Sequence, residues 1–504
     1  MNRYLKPGQL TLEQLQRVYS QNSDEIDFPA DWQSAVDRSR QTVLDVLSED
    51  KAVYGVNTGF GLLANKRISK ENLNQLQVNL VRSHAAGVGP LLEPAVVRLI
   101  MLMKAASLAQ GYSGVRSEVI SLILQMLNSD ALPCIPSQGS VGASGDLAPL
   151  AHFVLAMIGE GDLIYRGRHC LSAECLAELT LTPIQLEAKE GLALLNGTQV
   201  STALALAALF RTRTIFDAAI ISGAMSVDAA LGSDTPFDPR IHEIRRQPGQ
   251  IECARRYRQL LEGSQIRDSH RSCHRVQDPY SLRCQPQVMG ACLDLITAAE
   301  STLLNEANAV SDNPLVFSDD GSILSGGNFH AQPVAFAADQ LAIAIAEIGS
   351  LAERRLALLI DAHLSELPPF LTMDGGLNSG FMIPQVTAAS LVSENKHLAS
   401  AVSIDSLPTS ANQEDHVSMA TYAARRLLAM CNNLERVIAI ELLAASQGLD
   451  FRLPLKTSNS LQCIHQKIRA TVPRLEQDRS FYAEIEAVGN LISRGEITSA
   501  SSAK

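Results

Sequence analysis

Residues 328–363 read NFHAQPVAFAADQLAIAIAEIGSLAERRLALLIDAH, and this stretch decides the fold. Its one proline, Pro333, lies near the start, where a helix tolerates a missing N–H. Beyond it the runs Val334-Ala-Phe-Ala-Ala and Leu341-Ala-Ile-Ala-Ile-Ala give nearly continuous apolar surface instead of a single stripe. A helix apolar all round has to be buried on every side. Working outward, Gln285 to Val310, Gln385 to Ser403 and Glu414 to Gln447 carry helical patterns of similar length, with no proline after the first turn. Ordinary helices run to about 11–12 residues, so segments this long imply a bundle, with other subunits covering the extra apolar faces.

The remaining signals are shorter. Thr11 followed by Gln14 reads as a capping box, and Ser69 is placed to cap a helix that carries Leu73, Leu76, Leu80 and Val81 and ends between His84 and Gly87. Pro94 to Gly111 and Ser117 to Asn128 read as two more helices. Strand signals are few: Leu315-Val-Phe and Ile323-Leu flank Asp319-Asp320-Gly321 as a hairpin, and Leu163-Ile-Tyr is another candidate. The expected fold is mostly α, with few short strands. A loop-rich helical N-terminal domain over residues 1–200 precedes a long-helix bundle domain over residues 201–504.

Composition narrows the function. Of 504 residues, 46% are hydrophobic and 19% charged, which excludes a disordered chain. The net charge of −11 argues against nucleic acid or an anionic membrane as partner, yet leaves room for a buried arginine that binds a small carboxylate. The nine cysteines are scattered without a CxxC pair, which suggests reduced thiols and a cytoplasmic protein. The N-terminus has no apolar signal segment, and the apolar stretch around Ala203 to Val227 is interrupted by Arg211, Arg213 and Asp217. It reads as a buried helix, not a membrane span.

The chemistry is concentrated in Pro136-Ser-Gln-Gly-Ser-Val-Gly-Ala-Ser-Gly-Asp-Leu-Ala-Pro-Leu150. Three glycines precede a helix that starts near Leu147. The segment lacks the GK[ST] ending of a phosphate loop, and Asp146 would repel phosphate. It also lacks the GxSxG of a nucleophile elbow. Ala143-Ser144-Gly145 permits something else. In a strained turn, the Gly145 amide nitrogen can attack the Ala143 carbonyl carbon, because glycine has no side chain to block the approach. Loss of the Ser144 hydroxyl would then leave an electrophilic exocyclic methylene.

GSVGASGDLAPLAH resembles the prosthetic-group loop of the aromatic amino acid ammonia-lyase and aminomutase family. Members of that family build 4-methylideneimidazole-5-one (MIO) from Ala-Ser-Gly. YGVNTGFG (54–61), LLNGTQV (194–200), QDPYSLRCQPQVMGA (277–291), GGNFHAQP (326–333), GLNSGFM (376–382) and NQEDHVSM (412–419) extend the resemblance over nearly the whole chain, in family order. Within the family, His84 in RSHAAGVG and Glu414 in NQEDHVSM resemble the members that act on histidine. A buried imidazole needs hydrogen-bond partners, since an unpaired polar group costs about 1–3 kcal/mol, and a His and a Glu supply them. The implied reaction is non-oxidative deamination of L-histidine to trans-urocanate and ammonia by a carbon–nitrogen lyase. The alternative is a lyase or aminomutase of the same family acting on another aromatic amino acid.

The resemblance also implies the roles. The MIO would form from Ala143, Ser144 and Gly145, with no pyridoxal phosphate and no metal. Tyr280 would stand near Cβ as a base, with Glu414 the competing assignment, and Tyr54 near the amino group. A basic phenol needs a positive neighbour because its ordinary pKa is about 10, and Arg283 lies one turn from Tyr280. Arg283 would anchor the substrate carboxylate through a planar, bidentate pair. Asn196 and Gln277 would orient the prosthetic carbonyl and the substrate carboxylate, and Phe329 would form a pocket wall. The family pattern implies a D2 homotetramer with active sites shared between subunits. His270, Cys273 and His274 have a spacing suggestive of zinc, but no complementary pair lies nearby in sequence, so a structural metal is not expected.

Overall fold

The stretch that decides the fold forms one continuous helix, Gln332–Ile360. The computed structural model describes residues 4–21, 25–49, 53, 55–58, 68–271 and 276–501. Among them, Gln332–Ile360 is the one helix long and apolar enough to cross a bilayer, and 72% of its most apolar window is buried inside the protein. Burial is not complete, however: Phe336 and Ile343 are each 51% exposed in the single chain. The other helices of 17 or more residues among those described are Trp32–Ser48, Gln199–Ala229, Gln285–Ala307, Met382–Leu398 and Ala420–Phe451.

The last of these starts six residues later than the sequence suggests. Ser410, Ala411 and Asn412 take φ of +49°, +56° and +67°, and Met419 takes +55°. Left-handed residues cannot continue a right-handed helix. Glu414 therefore lies in the connecting loop, where its carbonyl accepts the Thr409 N–H at 2.8 Å.

Residues 1–207, 300–339 and 401–425 form one compact unit. Its first helix, Leu12–Tyr19, opens with the expected capping box: Thr11 Oγ1 accepts from Gln14 N at 3.2 Å, and Gln14 Oε1 accepts from Thr11 N at 2.9 Å. The core helix Pro94–Leu108 is buried from Val96 onward, and Ser117–Asn128 packs beside it. The helix after Ser69 is Leu73–His84, entered through a short 3-10 turn with Asn72 at its cap. Among the described residues, three small antiparallel sheets stitch the loops. Val88–Leu91 pairs with Pro136–Gln138, Asp162–Tyr165 lies between Leu132–Pro133 and Arg168–Leu171, and Leu315–Phe317 pairs with Ser322–Leu324 as the expected hairpin. The first sheet matters most. Its Val88↔Gln138 register lays the chain that follows His84 alongside the chain that enters the glycine-rich loop.

Residues 208–299, 340–400 and 426–504 form the second unit. Its core carries a fully buried ion pair, Arg355–Glu441. Glu441 accepts from both Arg355 Nε and Nη2, from Ser226 Oγ at 2.8 Å and from Ser222 Oγ. Buried charge is tolerated only when paired and hydrogen-bonded to this extent.

Candidate active site

The glycine-rich loop is fastened at several points. Asp146, fully buried ahead of the helix Leu147–Met157, accepts from Ser140 Oγ at 3.0 Å, Thr421 Oγ1 at 2.5 Å, Ser201 N at 2.8 Å and Ser201 Oγ at 2.9 Å. Its charge is thus used to hold the loop. Ser418 Oγ donates to the Gly142 carbonyl at 3.1 Å, and Met419 N donates to the Val141 carbonyl at 2.9 Å. Gly145, at φ +78°, packs against Gly197 as a parallel bridge, and a Cβ on Gly145 would run into the Gly197 backbone. Both the positive φ and the close approach require glycine there.

Around Ala143-Ser144-Gly145 stand several of the residues singled out in the sequence. Ser144 Oγ lies 3.5 Å from Glu414 Oε1, while Glu414 Oε2 is buried with no hydrogen-bond partner among the described residues. His84 is half-buried. Burial pushes its pKa below the ordinary 6.5, against upward pulls from the Leu80 carbonyl and the Glu414 charge. Ser83 Oγ donates to the Leu80 carbonyl at 3.1 Å and sits 3.1 Å from His84 Nδ1. Asn196, immediately before Gly197, is 4% exposed, and its Oδ1 has no partner among the described residues. Phe329 precedes His330, whose ring stacks on His416 at 5.5 Å, so the 326–333 and 412–419 blocks meet. The side-chain-free cradle at Gly145 and the unpartnered Asn196 oxygen fit a prosthetic group made from the loop itself.

Gln277, Tyr280 and Arg283 belong to the second unit. Tyr280 opens the one-turn helix Tyr280–Arg283 and is 71% exposed, with the Arg283 guanidinium carbon 4.6 Å from its ring centroid. Arg283 and Gln277 line a cavity of about 480 Å³, and Arg283 Nε is buried without a partner among the described residues. A guanidinium lining a cavity suits a carboxylate ligand. Tyr54 lies outside the described residues, as do Cys273 and His274. Among the described residues no group of three or more His, Cys, Asp or Glu side chains is arranged to hold a metal ion.

Two neighbours of the loop escape sequence reasoning. Gly197 is the wall behind Gly145. Lys104, fully buried on Pro94–Leu108, donates from Nζ to the Asn196 carbonyl at 2.6 Å and the Ala193 carbonyl at 3.3 Å. Burial pushes its pKa down to about 7, opposed by the charges of Asp312 and Asp146. The available signal was a lone lysine in the run Leu99-Ile-Met-Leu-Met-Lys-Ala-Ala.

Comparison with known proteins agrees with this arrangement. An aromatic amino acid lyase family model matches residues 10–470. The chain is 58% identical to the histidine ammonia-lyase of Burkholderia mallei, over 97% of this chain and 96% of that protein. It is 57% identical to the histidine ammonia-lyase of Vibrio cholerae over the same shares, 97% and 96%. Among solved structures it is similar to histidine ammonia-lyase from Trypanosoma cruzi, with a TM-score of 0.92 at 39% identity, covering 99% of this chain and 95% of that one. It is also similar to tyrosine aminomutase from Streptomyces globisporus, with a TM-score of 0.94 at 36% identity, covering 99% and 98%. The chain belongs to the aromatic amino acid lyase family.

Proposed function

We propose that the protein is an ammonia-lyase that converts L-histidine to trans-urocanate and ammonia, with an MIO group formed from Ala143, Ser144 and Gly145. The observation that carries this reading is the placement of Glu414, 3.5 Å from the Ser144 hydroxyl and close enough to act on the charge of His84. An imidazole substrate finds polar partners in that pair, whereas a phenyl ring would leave both unpaired and desolvated. The 57–58% identity to proteins named histidine ammonia-lyase supports the same substrate.

The loop-derived group would supply an electrophile that eases departure of the amine. The chain's own residues do the rest. Asn196 and the Gly197 backbone hold that group in place. His84, kept neutral near pH 7 by burial, hydrogen-bonds the substrate imidazole together with Glu414. Phe329 walls the ring. Arg283 and Gln277 take the substrate carboxylate, and the family resemblance assigns the amino group to Tyr54. The Cβ proton passes to Tyr280, with Glu414 the competing base.

We assign the working form as a D2 homotetramer with shared sites. Phe336 and Ile343 on Gln332–Ile360, and Ile383 and Val386 on Met382–Leu398, are each at least half exposed, and association would bury them. The eight described cysteines are free, in keeping with a cytoplasmic location. The test is kcat/KM for L-histidine, L-tyrosine and L-phenylalanine. We expect a preference for L-histidine of at least about 10²-fold. Preference for either other substrate, or a β-amino acid product, would replace this reading with the lyase or aminomutase alternative.

A further inference from the structure

We propose that Lys104 is a positioning residue for cyclisation of the loop: by gripping the Asn196 carbonyl, it fixes the Gly197 backbone as the wall that compresses Gly145 toward Ala143. The inference rests on the reading of Ala143-Ser144-Gly145 as the precursor of the prosthetic group. In that cyclisation the Gly145 nitrogen bonds to the Ala143 carbonyl carbon. The carbonyl oxygen leaves as water with the amide hydrogens of Gly145 and Ser144, and the Ser144 hydroxyl leaves as a second water with the Ser144 Cα hydrogen. No oxidant or other reactant is needed. What the protein has to supply is closeness, because an amide nitrogen is a poor nucleophile and a planar peptide resists the turn.

The wall would be soft without a fastening. Gly197 sits at φ +132°, and glycine gives little steric resistance to rotation of the peptide that joins it to Asn196. On the loop side the Asp146 N–H donates to the Gly197 carbonyl at 2.8 Å, and behind it the Thr198 N–H donates to Ser311 Oγ at 3.3 Å. The carbonyl of Asn196 accepts from the Lys104 amine at 2.6 Å, while the second donation, to Ala193 at 3.3 Å, ties the same amine to the helix Glu190–Leu195. Lys104 is 1% exposed, and removing it would leave a buried carbonyl unpaired. The charges of Asp312 and Asp146 draw its pKa up, and that of Lys189, itself paired with Asp312 at 2.7 Å, draws it down. A neutral amine still has two hydrogens for two carbonyls, so the grip survives loss of the proton.

The experiment is mass spectrometry of the proteolytic peptide that carries residues 136–150, taken from folded protein sorted by near-ultraviolet circular dichroism and size. Wild type is expected to be lighter by two waters, and absence of that deficit in wild type would overturn the prosthetic-group reading itself. With wild type cyclised, Lys104→Met is expected to fold and to carry the deficit in at least about tenfold fewer molecules. Lys104→Arg, which keeps the donors, is expected to regain most of it. A folded Lys104→Met protein that is fully cyclised would overturn the role of Lys104. So would failure of both Lys104→Met and Lys104→Gln to fold, because the residue would then support the fold at large and not the loop.

Discussion

Gly145 packs directly on the backbone of Gly197, with the neighbouring Asp146 N–H 2.8 Å from the Gly197 carbonyl. Two glycines far apart in sequence thus meet inside the Ala143-Ser144-Gly145 turn. The relationship gives the chemistry a mechanical basis. The turn is held between this wall and the bonds from Ser418 and Met419, so the atoms of the proposed cyclisation would lose little further freedom on closing.

Gly145→Ala should therefore block prosthetic-group formation. The new Cβ meets the Gly197 backbone and the φ of +78° disfavours any L side chain. The peptide spanning the loop should keep its full mass, and turnover should fall by at least about 10³-fold, near 4 kcal/mol of barrier. A normal mass deficit in this variant would show that the wall does not constrain the loop.

Substrate choice tests the pairing of His84 with Glu414. The double variant His84→Leu with Glu414→Gln should lose L-histidine activity disproportionately to any residual activity on L-phenylalanine. Steady-state kinetics on both substrates check this. Equal losses would assign the pair to general catalysis or folding.

Much of this was legible in the chain. Ser117–Asn128 and the 315–324 hairpin follow from local periodicity and turn chemistry, and the Thr11 capping box from residue spacing alone. The start of the last long helix was not, because Ser410 and Ala411 carry no local signal for the left-handed conformation they adopt ahead of it. At the candidate site, Ser144 and Gly145 are proposed from the chemistry their triplet allows. Lys104 does not: its partner is a main-chain carbonyl 92 residues away, and any residue type can provide one. Burial of Asp146 among four donors was equally hidden, since those donors come from three separate segments.

A pH prediction follows from His84. Burial lowers its folded pKa below 6.5, so on acidification the unfolded chain takes up this proton first. Stability that is present above about pH 6.5 is then lost as the pH falls toward the folded value. Melting temperatures of wild type and His84→Gln between pH 7.5 and 5 should diverge only below about 6.5, with wild type losing more. A gap independent of pH would contradict the assignment. His152 and His242, also lowered by burial, shift both proteins alike.

Shared sites make a separate prediction. Ser144→Ala and Tyr280→Phe should each be inactive alone, yet mixing them under conditions that exchange subunits should restore part of the activity, because some sites then receive both intact residues. Light scattering reports the assembly. A fully active monomer, or no recovery despite proven exchange, would exclude the shared tetramer.

The most direct test of the central claim is nuclear magnetic resonance of the products formed from L-histidine by purified wild-type protein and by Ser144→Ala. Wild type should yield trans-urocanate and ammonia in equal amounts, and the folded Ser144→Ala protein should be slower by at least about 10³-fold. Comparable rates in the two proteins, or wild type that forms no urocanate, would contradict the account.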